Sequence, residues 1–404
     1  MQKHLKNFMR LKMTDSFCVL PWIHLATHPH GGASLCCVAD FKQGNCMSRD
    51  GDRYYNLNRD TIADTMNSEK FRQTRLEMLD GKKPSPCMRC YQEERRGIKS
   101  KRLTENEKYS NFTYDLAKQQ TQTDGRIDSQ LEFVELRLGN ICNAKCATCN
   151  PASSSKWIMD YRKLSNKLDF ITNYDNLDDF SWPEREEFWD DLYKHTKNVK
   201  TFYINGGEPT LVKAHWEFIK RLIAEGRTDI TLWYNTNMIS IPDFAFDLWK
   251  NFKHVQISCS IDDLGERNQY IRFPTKWADV ESNLDKLTNY PWLDVSVNQT
   301  VSVYNYYYLP DFWNYMKDRG MFVHHNFVHD PVFLSPAALP EDFRKKCHDR
   351  FKECGWENWR TDNLVNSYSG SDNKTMNEKA RQYINALDKI RNTNFNQVFP
   401  EMQL

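Results

Sequence analysis

The chain has 404 residues, a formal net charge of +1 and 13% aromatic side chains. That is enough chain for a substantial core, too aromatic for a disordered segment, and without a global field to draw nucleic acid or an anionic membrane. No apolar run approaches the roughly 20 residues that span a bilayer. The basic start, Met1 to Asp15, lacks the apolar stretch of a secretory signal and reads as a tail, or as a start upstream of Met13. Twelve cysteines without such a signal point to a reducing, cytoplasmic setting, where thiols are more often ligands than disulfides.

In chain order, the first hundred residues carry cysteines at 18, 36, 37, 46, 87 and 90. Cys18 and Cys36 flank Gly31 as a hairpin would. A helix is predicted over Thr61–Leu79 with Gly81 as its C-cap signal, and Cys87-x2-Cys90 follows. A hairpin joined by a helix to a CxxC knuckle would bring four thiolates together. Cys37 and Cys46 remain as substitutes for one of them, and structural zinc uses the same ligand set. Residues 1–98 are therefore read as a cysteine-rich module. Residues 99–130, polar and charged, read as a linker. The basic run Arg95, Arg96, Lys99, Lys101 and Arg102 offers a docking place for nucleic acid or phosphate, although such runs are more often solvated faces.

From residue 131 the pattern alternates strands and helices. Strands are predicted at Phe133–Gly139, Lys200–Asn205, Asp229–Asn235, His254–Asp262, Asp294–Ser302 and Met321–Val328. Helices are predicted near 153–168, 184–196, 212–226, 242–251, 276–289 and 309–319. Such alternation implies βαβ units and a parallel sheet. Six units are too few for a closed eight-stranded barrel, so the fold class is α/β, an open partial (β/α)6 barrel over 131–330. A helical C-terminal extension covers 331–404. Strand faces alternate, as in Val255, Ile257 and Ile261 against Gln256, Ser258, Ser260 and Asp262, where a packed barrel would show branched aliphatics on both faces. One polar face suits a ligand cavity. Cys259, Cys347 and Cys354 stand apart and read as small buried hydrophobes. Of His324, His325 and His329, the first two sit on opposite strand faces and do not readily share a ligand.

Cys142-x3-Cys146-x2-Cys149 falls just after the first barrel strand, at the carboxyl end where α/β folds gather function. Four thiolates would saturate a 4Fe–4S cluster. Three leave one iron open, which a reactive site needs. A zinc knuckle would want a fourth Cys or His nearby, and none occurs between 130 and 194. With this triplet the chain resembles the radical S-adenosylmethionine (SAM) superfamily. The resemblance implies a partial barrel and a SAM-binding 4Fe–4S cluster on Cys142, Cys146 and Cys149. It further implies reductive cleavage of SAM to a 5′-deoxyadenosyl radical, abstraction of a substrate hydrogen, and a reductant such as flavodoxin or ferredoxin. Thr148 stands where the family usually has an aromatic residue, which bears on the adenine pocket.

Other positions follow from that resemblance. Gly206-Gly207-Glu208-Pro209, after the second strand, looks like the family's motif for the methionyl amine. Its glycines permit close backbone approach, and Glu208 accepts hydrogen bonds. Ser258, Ser260 and Asp262 end the fourth strand, with Ser260 as ribose candidate. Arg272 is the carboxylate candidate, since a guanidinium suits a carboxylate. Asn235, Asn237, Asn298 and Thr300 sit at other strand ends and are expected to line the pocket. Cys18, Gly31, Cys36, Cys87 and Cys90 resemble a SPASM/twitch module, implying one auxiliary 4Fe–4S cluster, although such modules normally follow the barrel. Modules of this kind accompany peptide-modifying enzymes, so a peptide or protein substrate is expected. A nucleotide or nucleic acid substrate, and a non-catalytic iron–sulfur or zinc scaffold, are the alternatives.

Overall fold

A computed structural model describes residues 15–128, 130–172, 174, 179–328, 330–356 and 374–402. The basic start as far as residue 14, and His329, lie outside the described residues. The chain divides into two compact units, one of residues 1–139, 179–206 and 212–232, the other of residues 140–178, 207–211 and 233–404.

The first unit holds β1 (His24–Thr27), β2 (Ala33–Ser34), the small hairpin β3 (Arg49–Asp50) and β4 (Arg53–Tyr54), β5 (Phe133–Arg137) and β6 (Thr201–Asn205). The expected hairpin is present. Gly31 turns it at φ 88°, and a Cβ there would lie 2.6 Å from Asn56 Oδ1. The hairpin is not part of a detached module, however. β1 runs parallel to β5, with His24 opposite Phe133, and β5 runs parallel to β6. The expected helix over 61–79 appears as Ile62–Met66 and Glu69–Leu79; Thr61 caps the first through Asp64 N–H, and Gly81 takes a positive φ.

The segment read as a linker differs most from expectation. It contains helices Lys101–Lys108 and Tyr114–Gln120, each capped by a hydroxyl, Ser100 and Thr113. Arg102 is buried and donates to the Phe17 carbonyl at 2.7 Å, and Trp22 Nε1 donates to Thr121 Oγ1 at 2.8 Å. Tyr109, Phe112 and Ala117 join Phe17, Val19 and Trp22 in one core. Charge density concealed this packing, because two of the charged residues, Arg102 and Glu105, are themselves interior.

Strand β7 (Thr231–Thr236) starts in the first unit and ends in the second. The second unit continues with β8 (His254–Ser260), β9 (Leu293–Val301) and β10 (Phe322–Phe327), parallel in sequence order. Helices Asp243–Trp249, Gly265–Ile271, Trp277–Thr288 and Leu309–Asp318 intervene. The architecture is α/β with parallel strands in an open sheet, and every barrel strand lies within two residues of its predicted ends. Parallel strands joined by helices need apolar seams, and Val255, Ile257, Val297 and Val301 supply them. Beyond the strands come helices Glu341–Glu353, Lys374–Arg391 and Phe395–Val398, as the expected extension requires.

Candidate iron–sulfur and cofactor site

The triplet loop begins at Asn140 and owes its shape to hydrogen bonds from its own unit. The helix expected from 153 begins only at Ile158, because the residues before it are engaged with the loop. Ser154 Oγ donates to the Ala144 carbonyl at 2.5 Å, Ser155 N–H to the Asn140 carbonyl at 2.7 Å, and Trp157 Nε1 to the Cys146 carbonyl at 3.0 Å. On another side the loop pairs with the stretch carrying Arg272: Lys145 N–H donates to the Phe273 carbonyl, and Ala147 N–H to that of Ile271. Fixed backbone groups of this kind hold side chains in place without relying on the ligand they will meet.

Burial, with Cys146 nearby, pushes the Cys142 thiol up to about 11. Burial also pushes Cys149 up to about 12, reinforced by Cys146 and Cys142. Cys146 is raised by burial too, with Arg272 opposing. Without metal these thiols are protonated, so a thiolate-bound metal centre must displace protons as it assembles. Among the described residues, no group of three or more His, Cys, Asp or Glu is placed to hold a metal ion.

Gly206 belongs to the first unit and Gly207–Pro209 to the second. A Cβ on Gly207 would lie 2.2 Å from the Ile141 carbonyl oxygen, so only glycine lets this turn touch the triplet loop. Glu208 is 1% exposed. Its Oε2 accepts from Asn237 N–H at 2.7 Å, and its Oε1 from Thr210 Oγ1 at 2.8 Å and, more weakly, Thr210 N–H. Burial raises its pKa while these bonds pull it back. A carboxylate has about four acceptor sites, and the Thr236 hydroxyl is a further donor to this one. Asn237 also donates from Nδ2 to Asn143 Oδ1 at 2.6 Å, with Cys142 Sγ 3.7 Å away. Pocket lining was expected of Asn237; its grip on Glu208 and the loop was not, because backbone donors leave no mark in a sequence.

Arg272 Nη1 donates to Asp262 Oδ2 at 2.9 Å, and the other Asp262 oxygen accepts from Thr300 N–H at 2.8 Å. Asp262, expected among the cofactor contacts, thus has both carboxylate oxygens engaged by the framework and orients the arginine. Burial pulls the Arg272 pKa down, but Cys146, Asp262 and Cys142 outweigh it and the pKa is raised. Its Nε is buried and makes no hydrogen bond among the described residues, an orphan donor beside the thiols. Ser258 Oγ accepts from Trp233 Nε1 at 2.8 Å, which fixes it within the strands. Asn298 donates to Asn235 at 2.8 Å, so these two act as a pair. Ser260 is half-buried. Arg267 is held by Asp263 and Tyr270 by Asp388. His325 packs on Trp313 and meets Gln299 at 3.1 Å, an ordinary packed histidine. Cys259 and Cys347 are buried as expected, while Cys354 is exposed.

The first unit carries the second thiol set. Cys18 lies in the apolar core, with Cys36 and Cys87 packed against it. Burial pushes Cys18 up to about 12, with Cys90 adding to it. Cys36 is raised by burial and then by Cys87, Cys37 and Cys18; Cys87 by burial and then by Cys18, Cys90 and Cys46. The four expected thiols therefore sense one another. Cys37 looks elsewhere: after burial, its main influences are Glu135, Lys101 and Arg137. Cys46 is fully buried, and burial pushes it up to about 12 with Asp40 and Lys70 as its charged neighbours.

Residues 18–91 match the family model of SPASM, an iron–sulfur cluster-binding domain, and this span contains all four thiols. The chain is 27% identical over 187 residues to a GTP 3′,8-cyclase of Campylobacter jejuni subsp. doylei, covering 45% of this chain and 50% of that protein. The chain thus spans about half the length of the curated relative it matches. Among solved structures, native anSMEcpe with bound AdoMet aligns at 19% identity and TM-score 0.40, over 58% of this chain and 62% of that one. Streptococcus suis SuiB bound to S-adenosylmethionine aligns at 14% identity and TM-score 0.36, over 66% and 58%. The family matches bear out the resemblance to a radical SAM enzyme with a SPASM-type module.

The residues present fit the implied groups. The buried Cys142 and the half-buried Cys146 and Cys149 stand beside an orphan guanidinium donor and a buried carboxylate. Of the separate set of four thiols, Cys18, Cys36 and Cys87 share one apolar core and Cys90 is buried.

Proposed function

We propose that this protein is a radical SAM enzyme acting through Cys142, Cys146 and Cys149, with an auxiliary 4Fe–4S cluster on Cys18, Cys36, Cys87 and Cys90. The observation that carries the reading is the setting of the triplet, with Glu208 and Arg272 fixed beside thiols whose loop is held through its backbone. When bound, a cluster with one iron free of protein thiolate supplies the electron that cleaves SAM. Glu208 would hold the methionyl ammonium, and the free edge of Arg272 would hold the methionyl carboxylate. The Asn235–Asn298 pair and Ser260 offer hydrogen bonds to the ribose. Burial keeps water from Glu208, which strengthens its contacts. Cytoplasmic placement belongs to the same reading and rests on twelve unpaired thiols; among the described residues no helix is long and apolar enough to cross a membrane.

A peptide or protein is the first substrate class, supported by the SPASM-type module. The second reading is a nucleotide, favoured by the similarity to a GTP cyclase over 187 residues. The test is release of 5′-deoxyadenosine from SAM by reconstituted, reduced protein. Release above that of Cys142→Ala is expected; equal release from both sinks the reading. Stimulation of release by GTP would move the assignment to the nucleotide.

A further inference from the structure

The C-terminal helix Lys374–Arg391 makes polar contacts to the triplet loop that the proposed reaction has not drawn on. Tyr383 Oη donates to the Ala147 carbonyl at 3.0 Å, and Arg391 Nη2 to the Lys145 carbonyl at 2.5 Å. The carbonyls flanking Cys146 are therefore both tied to one helix more than two hundred residues away in sequence. The Arg391 side chain is 2% exposed. Its guanidinium lies over the Trp157 ring at 4.4 Å and the Phe273 ring at 5.1 Å, and its Nε stands 3.5 Å from Asp160 Oδ2. Asp160 is shared, because Lys145 Nζ approaches the same oxygen at 2.7 Å. One carboxylate thus faces two cations. Arg391 Nη1 is buried and has no hydrogen-bond partner among the described residues. A buried guanidinium only partly compensated leaves positive potential where it sits.

We propose that Arg391 is a positioning residue that sets the reduction potential of the cluster held by the triplet, by placing partly compensated positive charge beside Cys146 while pinning the loop. The inference rests on the reading of the triplet as a cluster site. A cluster that gains an electron becomes more negative, and a nearby buried cation favours that state. Removing the cation lowers the potential. Trp157 and Phe273 keep water from screening it, since Trp157 is fully buried and both rings flank the guanidinium.

The experiment is a redox titration of the full chain, anaerobically reconstituted, following the electron paramagnetic resonance signal that changes when SAM is added. Arg391→Gln, which keeps donors but not charge, is expected to lower the ratio of reduced to oxidised cluster at fixed solution potential about tenfold, or ~59 mV for one electron. Arg391→Lys is expected to stay close to the parent. Tyr383→Phe, which removes a loop contact but no charge, leaves the potential in place. A parent with a SAM-responsive signal and an Arg391→Gln variant of equal reduced fraction overturns the inference and leaves the triplet reading intact. A parent without any SAM-responsive signal defeats the triplet reading itself. Should Arg391→Gln fail to take up iron, full uptake by Arg391→Lys supports the charge role, and loss in both overturns it.

Discussion

The two thiol sets are held by different physical means. The set in the first unit is embedded: Cys18 sits among Phe17, Val19, Leu20 and Trp22, and Cys36 and Cys87 lean on the same core. The triplet is tethered instead. The carbonyls of residues 145, 146 and 147 accept from Arg391, Trp157 and Tyr383, and the N–H groups of 145 and 147 donate to the stretch that carries Arg272. Apolar embedding closes four ligands around whatever they bind. Backbone tethering holds three ligands while the charged Glu208 and Arg272 are fixed beside them. This is the division between a closed metal site and an open one.

The sharpest way to break this comparison is by metal content after reconstitution. Cys142→Ala is expected to lose about four irons of roughly eight, and Cys87→Ala a different four. Cys46→Ala is expected to keep both sets, because Cys46 serves as packing. Zinc in place of iron in the first unit would leave about four irons and one zinc and would recast the embedded set as structural. Next in size is Gly207→Ala. Its Cβ would meet the Ile141 carbonyl at 2.2 Å, so the triplet loop must shift at a cost of roughly 3 kcal/mol. Iron should fall by the triplet's share alone, measured with SAM binding by calorimetry.

A comparable effect is expected from pH, read on the framework behind Arg272. Burial pushes Asp263 up to about 7, against the pull of Arg267 and of Leu264 N–H. A carboxylate of raised folded pKa keeps a proton that the unfolded chain has already released. Its penalty is absent at low pH and grows as pH rises from about 4 to about 7, reaching on the order of 4 kcal/mol. Asp263→Asn should flatten that slope in denaturant titrations at several pH values. The smallest effect is that of Tyr383→Phe, which leaves the Ala147 carbonyl without its side-chain donor. It should lower stability by about 1 kcal/mol, seen by thermal melting, without loss of iron.

Much of this was legible in the sequence. Strand–helix alternation located every barrel strand, because parallel strands need apolar residues that helices then cover. The triplet stood out by residue type and spacing, and Glu208 and Arg272 followed from the family resemblance it carries. What stayed hidden was contact made by backbone groups or from far along the chain. Asn237 holds Glu208 through its N–H, and no residue type reports that. Arg391 and Tyr383 reach the loop from the last tenth of the chain, where the pattern showed only a helix. Helices 101–108 and 114–120 were obscured because interior Arg102 and Glu105 made a packed segment look solvated.

The embedded thiols come from well-separated stretches: the start of the hairpin, its far side, and the knuckle after helix Glu69–Leu79. A bound cluster would therefore act as a stitch through the N-terminal fold, lowering the freedom of the unfolded chain as any cross-link does. Iron supply then becomes a determinant of lifetime. A cell short of iron, or one exposing the centre to oxygen, would present its proteases with a loosened N-terminal unit, and abundance would fall along with activity.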